Sequence, residues 1–599
     1  MKFKKVLLFI FAMCIALPAL SVTAANETFT INNGSALTVQ AFQGIGGEVY
    51  PTLTLPSGTE QGFTDADFQK FKVRAKKMNI TFVRMWVQYD WFNPSSGVQT
   101  FESNRMKAVY KFLDFFQANG IEVMFQQMST GDPALLYPWL WWTTSDNAGP
   151  GSDPTKLDTW ATNVKDLLNY VHTTKNYTCV KYVSLNNEAN LFNVPPSGYD
   201  KLTYAELLYQ TLADKLSASG VNYLSIVGPD VTGDSTYLSN FITDKPNVAG
   251  SYSYHQYGGI NGFDPVSLIN IKNTKDPNGN QKGMILAEFG DNSTTPADRD
   301  TNFYHAIHNA KYAISAINAG WTGIIKWTLY DGFFDVATAN QTGTNLGSND
   351  YNWGLWRSKD FGWTFRQNYY AYSLLTRFSQ IGSIIHKATI LNPNLNVSVL
   401  KSVGGDYTVM VVNTGTTSLT TDFSFANAIN KTLYKFAADS TLATDPWGNL
   451  ILPSSSFTNV GTTFTDTIPA NTVVVYTSNW NPSGAAVGTA SNLTATDSKM
   501  PVLNWTAAAN AKYYRIYRDT NSSFSPSSIN QVGESDTNQF FDDTLNTTGA
   551  TYYYKIIGVG NNEQTGSASA AITLNHNYIF TNTLTSSSTD GDTAYMIKS

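Results

Sequence analysis

"TDADFQKFKVRAKKMNITFVRMW" (64–86) contains one helix and one strand in direct succession. Thr64 supplies an N-cap hydroxyl, Asp65 and Asp67 sit in the first turn, and Lys76 and Lys77 sit in the last, as a helix of this polarity requires. Two residues later "ITFVRMW" (80–86) is rich in β-branched and aromatic residues and reads as a strand. The same rhythm recurs on both sides. Strand candidates are "AFQGIGG" (41–47), "IEVMFQQ" (121–127), "CVKYVSLN" (179–186), "YLSIVG" (223–228), "GSYSYHQY" (250–257), "GMILAEFG" (283–290) and "TGIIKWTL" (322–329). With 80–86 they make eight. Helical spacing fills the gaps: "MKAVYKFLDFFQANG" ends at Gly120, and "DRDTNFYHAIHNAKYAISAINAG" reads as one helix ending at Gly320. Eight strand–helix units over residues 43–380 point to an α/β fold, a (β/α)₈ TIM barrel with long loops.

A doubly wound open sheet is the competing fold. It would carry a glycine-rich phosphate loop between its first strand and first helix. "GIGG" (44–47) is too short for that loop and no helix follows it directly.

Outside the barrel the pattern is all-β. Residues 26–42 read as a hairpin, with "TFTI" and "ALTVQ" as arms and "NNGS" as the turn; the alternative is that they join the β-sandwich that follows the barrel. Residues 381–480 read as a β-sandwich, and "NWNPSGAAVGTAS" (479–491) has the composition of a linker. Residues 488–575 contain Trp505 in a strand, then "YYRIYR" and "YYYKIIGV"; this segment resembles a fibronectin type III module, which implies a second all-β domain. Residues 576–599 form a Ser/Thr-rich tail.

Residues 1–25 have the layout of an export signal. Lys2, Lys4 and Lys5 are followed by "VLLFIFAMCIAL", and "VTAA" offers cleavage near Ala24 or Ala25. Twelve apolar residues are too few to span a bilayer, so the expectation is a secreted protein without a membrane span. Of the 2 cysteines, Cys14 leaves with the leader and Cys179 remains, so no internal disulfide forms. The net charge is −6 and no basic cluster is present, which argues against a nucleic-acid partner.

The active site of a (β/α)₈ barrel forms at the carboxyl ends of its strands. Strand two ends near Arg84 and Trp86, strand four in Asn186-Asn187-Glu188, strand six at His255 and Tyr257, strand seven at Glu288 and strand eight at Trp327. Two glutamates among donors and aromatic rings suit the cleavage of a glycosidic bond. The leaving oxygen must be protonated, and the positive charge developing on the sugar carbon must be met by a carboxylate. Arg84 and Tyr257 can surround one glutamate with donors and keep it ionised.

An Asn-Glu ending strand four and a Glu ending strand seven resemble the clan A glycoside hydrolases. The β-rich segment after the barrel and the return helix in "WGLWRSKDFGWTFRQNYYAYSLLTRFS" are most similar to families 39 and 30 and their relatives. The resemblance implies a retaining β-glycoside hydrolase acting by double displacement on a polysaccharide or oligosaccharide, with no cofactor and no metal. It implies that Glu188 is the acid/base, Glu288 the nucleophile and Asn187 the ligand of the sugar 2-hydroxyl. It further implies substrate-binding roles for Arg84, His255, Tyr257 and Trp327, the last as the floor of the sugar site. The chain has "NEAN" where many members have Asn-Glu-Pro. Xylan, β-glucan, mannan and galactan all suit this chemistry.

Other readings leave different marks. A zinc enzyme would show a paired-histidine motif, and the 6 histidines form none, although His255 with two glutamates is a conceivable ligand set. A serine esterase would show a Gly-x-Ser-x-Gly elbow, and none is present. The alternative function is a non-catalytic carbohydrate-binding or adhesion protein with a degenerate barrel. There the C-terminal module would attach the chain to a polymer or cell surface. Trp139, Trp141 and Trp142 in "YPWLWW", and Trp353, Trp356 and Trp363, are candidates for outer sugar subsites or for packing.

Overall fold

The computed structural model describes residues 26–54, 60–94, 97–126, 154–192, 199–259, 264–271, 282–291, 296–332 and 352–578. The export leader, Trp139, Trp141, Trp142 and most of the tail lie outside the described residues.

Eight parallel strands close into a barrel: Gly44–Val49, Phe82–Trp86, Glu122–Gln126, Val180–Val183, Ser225–Thr232, Ser251–Tyr257, Gly283–Gly290 and Gly323–Lys326. They neighbour one another in chain order, and the eighth pairs back onto the first at Gly323 and Gly44. Phe82, Met124, Val227, Ile285, Ala287 and Ile325 fill the interior, so the barrel is a packed core with no pore. The last two glycines of "GIGG" belong to this packing. A Cβ on Gly46 would lie 2.0 Å from the Phe82 carbonyl oxygen, and one on Gly47 would lie 2.6 Å from Leu329 Cδ2.

The helices form the outer layer. In Asp65–Met78 the Thr64 hydroxyl accepts the Asp67 N–H at 3.1 Å, and the helix closes on Asn79 in the left-handed region at φ 51°. Its apolar stripe of Phe68, Phe71, Ala75 and Met78 is buried, and Phe71 packs on Phe112 of the next helix, Asn104–Ala118, at 5.0 Å between ring centres. The run read as one helix from Asp298 to Gly320 is instead two, Pro296–Thr301 and Tyr304–Ala319. The Asn302 side chain accepts the Tyr304 N–H at 2.9 Å, a local turn that competes with helix continuation.

The 26–42 hairpin does not form. Glu27–Asn32 is a strand, but it pairs antiparallel with Ile384–Thr389 and parallel with Leu419–Phe425. The intended second arm, 36–40, has no strand structure and leaves Val39 exposed. Phe29 and Ile31 find a deeper apolar site between the later strands than a two-stranded ribbon offers. Nine strands, this one and eight between Ile384 and Thr477, make one sheet that folds over its own core. Its two edge strands meet where Phe457 and Phe464 pack at 4.9 Å.

The last domain is a sandwich of a three-stranded and a four-stranded sheet around Trp505, Tyr514, Ile516 and Tyr554. It is docked, not tethered. The barrel helix Asp65–Met78 reaches it through Lys70–Asp543 at 2.5 Å, Lys72–Asp536 at 2.9 Å and Lys77–Glu534 at 2.6 Å. Val73 packs with Tyr513 and Val559, and Lys77 also donates to the Trp447 carbonyl of the nine-stranded domain at 2.9 Å. The stretch read as a linker is tied down by Gln564 and Asn510, which donate to the carbonyls of Ala485 and Ala486. No helix among the described residues is long and apolar enough to cross a membrane.

Candidate active site

Arg84 organises the carboxyl end of the barrel. It points inward from the second strand and is fully buried. Its Nη1 donates to Glu48 Oε2 and Glu288 Oε1, from strands one and seven. Its Nη2 donates to Asn187 Oδ1 at 2.7 Å and to Asp230 Oδ2, from strand five, at 3.0 Å. Burial alone would weaken the guanidinium's hold on its proton, but the charges of Glu48, Glu288 and Asp230 keep its pKa well above the usual value.

Glu188 stands just past strand four. That strand ends at Val183, and the chain enters a short helix, Ala189–Phe192, through Glu188 at φ 47°. A non-glycine residue in this region carries strain of about 1–3 kcal/mol, tolerated where surrounding bonds hold it. Those bonds come from Asn190, which donates to the Thr232 carbonyl at 2.7 Å and accepts the Thr232 N–H at 3.1 Å. The asparagines of "NNEAN" therefore have separate tasks. Asn190 pins the loop to strand five, and Asn187 faces Arg84.

Two β-bulges aim acidic side chains inward. The pairing of strands six and seven shifts between Leu286 and Glu288, which sets Glu288 opposite His255. The pairing of strands five and six shifts between Gly228 and Val231, and Asp230 sits within that irregularity at φ 54°.

His255 bridges the acids. Its Nδ1 lies 3.1 Å from Glu188 Oε1 and 3.3 Å from Glu288 Oε2, and its Nε2 lies 3.7 Å from Asp230 Oδ2. Burial would lower its pKa, but Glu288, Asp230 and Glu188 together raise it to about 10, so the ring is a cation at neutral pH. The Tyr257 hydroxyl donates to Glu288 Oε2 at 2.6 Å. Its own pKa is pushed well up, by burial and then by the charge of Glu288, so it remains a donor.

The carboxyls answer differently to this setting. Burial raises Asp230, but Arg84 and the bond from His255 overcome it and hold the carboxyl at about 2. Burial raises Glu48 to about 8, opposed by Arg84 and reinforced by Glu288. Burial also raises Glu288, opposed by His255, Arg84 and Tyr257 and reinforced by the charge of Glu188.

One oxygen each from Glu188 and Glu288, with a His255 nitrogen, all lie within 4.8 Å of one another. This triad has the composition of a metal site. However, Glu288 already accepts from Arg84 and Tyr257, whereas metal ligation needs free carboxylate lone pairs. The arrangement suits the handling of protons and positive charge at carbon.

An aromatic wall flanks the acids. Tyr50 stacks on Trp86 at 5.5 Å and meets Trp327 edge-on at 6.0 Å. Trp86, Tyr50 and Trp327 are half-buried, as rings that offer a face to a ligand must be.

All seven residues expected at the site from the sequence lie at this end of the barrel. Arg84, Asn187, Glu188, His255, Tyr257 and Glu288 form one bonded cluster, and Trp327 stands in the wall beside it. Glu48, Asp230 and Tyr50 belong to it too and were not anticipated. Trp356 and Trp363 are buried in the core, the latter donating to Asp67 at 3.2 Å, and so are not sugar subsites. Trp353 backs Tyr257 at 5.5 Å and is covered by the Arg299 guanidinium at 3.7 Å.

No protein-family model matches the chain, and no curated protein matches it. Solved structures do. A GH30 endoxylanase from Clostridium papyrosolvens C71 superposes with a TM-score of 0.51 at 15% identity, covering 76% of this chain and 100% of that one. The catalytic domain of GH30 xylanase C from Talaromyces cellulolyticus gives 0.54 at 14% identity, covering 75% and 99%. An endo-β1,6-glucanase gives 0.53 at 14% identity, covering 76% and 95%. The chain therefore has the fold of these glycoside hydrolases, a closed barrel of eight parallel strands followed by β-rich domains.

Proposed function

We propose that the protein is a secreted, retaining β-glycoside hydrolase in which Glu288 is the nucleophile and Glu188 the acid/base. The observation that carries this reading is the approach of the two buried carboxyls to within 4.8 Å, oxygen to oxygen. Retaining enzymes hold their carboxyls about 5–5.5 Å apart, whereas inverting ones leave about 6.5–9.5 Å for a water.

In the first step a Glu288 oxygen attacks the anomeric carbon. The bond to the leaving oxygen breaks, and that oxygen takes the proton of Glu188. The result is a glycosyl ester on Glu288. In the second step Glu188 takes a proton from water, the resulting hydroxyl adds to the anomeric carbon, and Glu288 leaves as a carboxylate. Arg84 and Tyr257 stabilise Glu288 as it regains its charge, His255 orients both acids, and Asn187 is placed to bind a sugar hydroxyl beside Glu188. Trp86, Tyr50 and Trp327 offer ring faces to the sugar. Only protein side chains and water take part. Export would proceed through the 1–25 leader, with cleavage near Ala24 or Ala25.

The test is release of reducing ends from a polysaccharide panel that includes xylan and β-1,6-glucan, the polymers that the structural neighbours' names suggest. The wild type is expected to hydrolyse at least one member and Glu288→Gln none. Near-normal hydrolysis by Glu288→Gln would remove the nucleophile assignment. Sugar binding without hydrolysis by the wild type would favour the non-catalytic reading.

A further inference from the structure

A polar cleft of about 610 Å³ opens where the barrel, the nine-stranded domain and the C-terminal domain meet. That volume is within the range of about 300–1,000 Å³ common to small-molecule sites. Arg377, the last residue of the barrel helix Gln367–Arg377, lines it together with Asn479 and Trp480 after the nine-stranded sheet and Lys512 and Asn561 of the last domain. Asn79, also in the wall, stands at the amino end of strand two, so the cleft lies at the opposite end of the barrel from Glu188 and Glu288. The walls are fixed. Asn79 donates to the Arg377 carbonyl at 3.2 Å, and Gln564 and Asn510 donate to the Ala485 and Ala486 carbonyls at 3.2 and 2.9 Å.

Two cations line this cleft without a counter-charge. Arg377 donates to the Ile451 carbonyl at 2.8 Å and lies against the rings of Phe378, Phe436 and Trp480. Lys512 is half-buried, and its amine has no hydrogen-bond partner among the described residues. Neither cation forms an ion pair among them. Glu563, the acid whose charge reaches both, is already taken by Arg515 at 2.9 Å and by the Tyr513 hydroxyl at 2.7 Å. Asp406, the carboxylate in the wall, is taken by Lys431 at 2.7 Å and Ser478 at 2.9 Å. Burial, and then the charge of Arg377, push the Lys512 amine down to about 8, in keeping with a cation short of an anion. Beside the cations, the carboxamides of Asn479 and Asn561 have no protein partner among the described residues, and Trp480 is half-buried with its ring 5.3 Å from Phe436. Paired cations suit a carboxylate, free amides suit hydroxyls, and an indole suits the apolar face of a sugar ring.

We propose that this cleft is a second carbohydrate site that binds a saccharide carrying a carboxylate, with Lys512 and Arg377 on the acid group, Asn479 and Asn561 on hydroxyls and Trp480 beside the ring. The choice of a sugar over other organic anions rests on the reading of the protein as a glycoside hydrolase. An acidic polymer held here keeps its other segments near the catalytic mouth at a raised effective concentration.

Isothermal calorimetry at pH 6, below the Lys512 pKa, tests this on the full chain carrying Glu288→Gln, so that no turnover intervenes. The probes are a β-1,4-linked tetramer of glucuronic acid and cellotetraose, which differ only in a carboxylate or a hydroxymethyl on each ring. The acidic tetramer is expected to bind more tightly than the neutral one, and less tightly as salt rises. Adding Lys512→Gln should weaken the acidic tetramer by about 10–100-fold, as the loss of one charged hydrogen bond does, and Lys512→Arg should retain it. Should Lys512→Gln not fold, Asn561→Asp at its exposed position sets a like charge in the cleft and should give a loss in the same direction. Equal binding of the two tetramers, or an acidic tetramer indifferent to these substitutions, would overturn the proposal. Inorganic phosphate that binds as tightly as the acidic tetramer would overturn it too, as the mark of an anion site without sugar recognition. Failure of the hydrolase reading would show separately, as a wild type that releases no reducing ends from any polymer while the acidic tetramer still binds.

Discussion

Tyr257→Phe isolates one contribution to the ionisation of Glu288, the proposed nucleophile. The substitution removes a hydroxyl 2.6 Å from Glu288 Oε2 and keeps the ring that packs against Trp353. Glu288 is 3% exposed, so water has little room to replace the lost donor. A hydrogen bond to a charged group contributes about 1.5–3 kcal/mol. At about 1.36 kcal/mol per pKa unit, the loss raises the Glu288 pKa by about one to two units. The sign follows from the surroundings: burial already pushes Glu288 up, while His255, Arg84 and Tyr257 pull it down. Removing one of the latter moves it up further. The nucleophile must be ionised in the free enzyme, so the acidic limb of the kcat/KM profile reports this ionisation. That limb should move to higher pH by about one to two units, and below it the variant should fall about 10–100-fold behind the wild type. Initial rates on a soluble aryl glycoside over a pH series measure this. A folded variant whose acidic limb stays in place, with only a uniform loss of rate, would refute the assignment of Tyr257 as donor to an ionised Glu288.

Two further outcomes follow from other parts of the molecule. Glu188→Ala should lose about 10²–10⁴-fold in rate on substrates with poor leaving groups and much less on activated ones, and azide should restore deglycosylation; equal losses on both, with no rescue, would count against Glu188. Lys77→Met leaves Glu534 buried at the junction of barrel and C-terminal domain and should cost about 3–5 kcal/mol in urea unfolding. The double variant Lys77→Met/Glu534→Leu should recover most of that, and a neutral single variant would show that the junction is not closed to water.

The barrel was legible because eight strand–helix units repeat, and burial on both faces makes each parallel strand a recognisable apolar run. Arg84, Glu188, His255 and Glu288 were legible because they fall at strand ends, where a barrel builds its site. Glu48 and Asp230 were missed for one reason: their strands run on past the point where the sequence suggests they stop. Strand one continues from the glycines to Val49, and strand five passes through Pro229 to Thr232. A glycine pair and a proline normally mark the end of a strand. Here the glycines serve close packing, and the proline sits in a bulge that turns Asp230 inward. The failed hairpin at 26–42 has a different cause. Alternation in "TFTI" fixes which face is apolar but not which partner covers it, and the partner lies more than 350 residues away. The docking of the C-terminal domain was hidden in the same way. The helix-end lysines satisfy the helix dipole in the sequence, yet in the fold Lys77 is buried on Glu534.

The anomeric configuration of the first product tests the central claim most directly. Hydrolysis of a β-linked substrate, followed by ¹H NMR from the first seconds of reaction, should show the β-hemiacetal appearing first and mutarotating afterwards. First appearance of the α-anomer would mean inversion, and Glu288 could not then be forming a glycosyl ester.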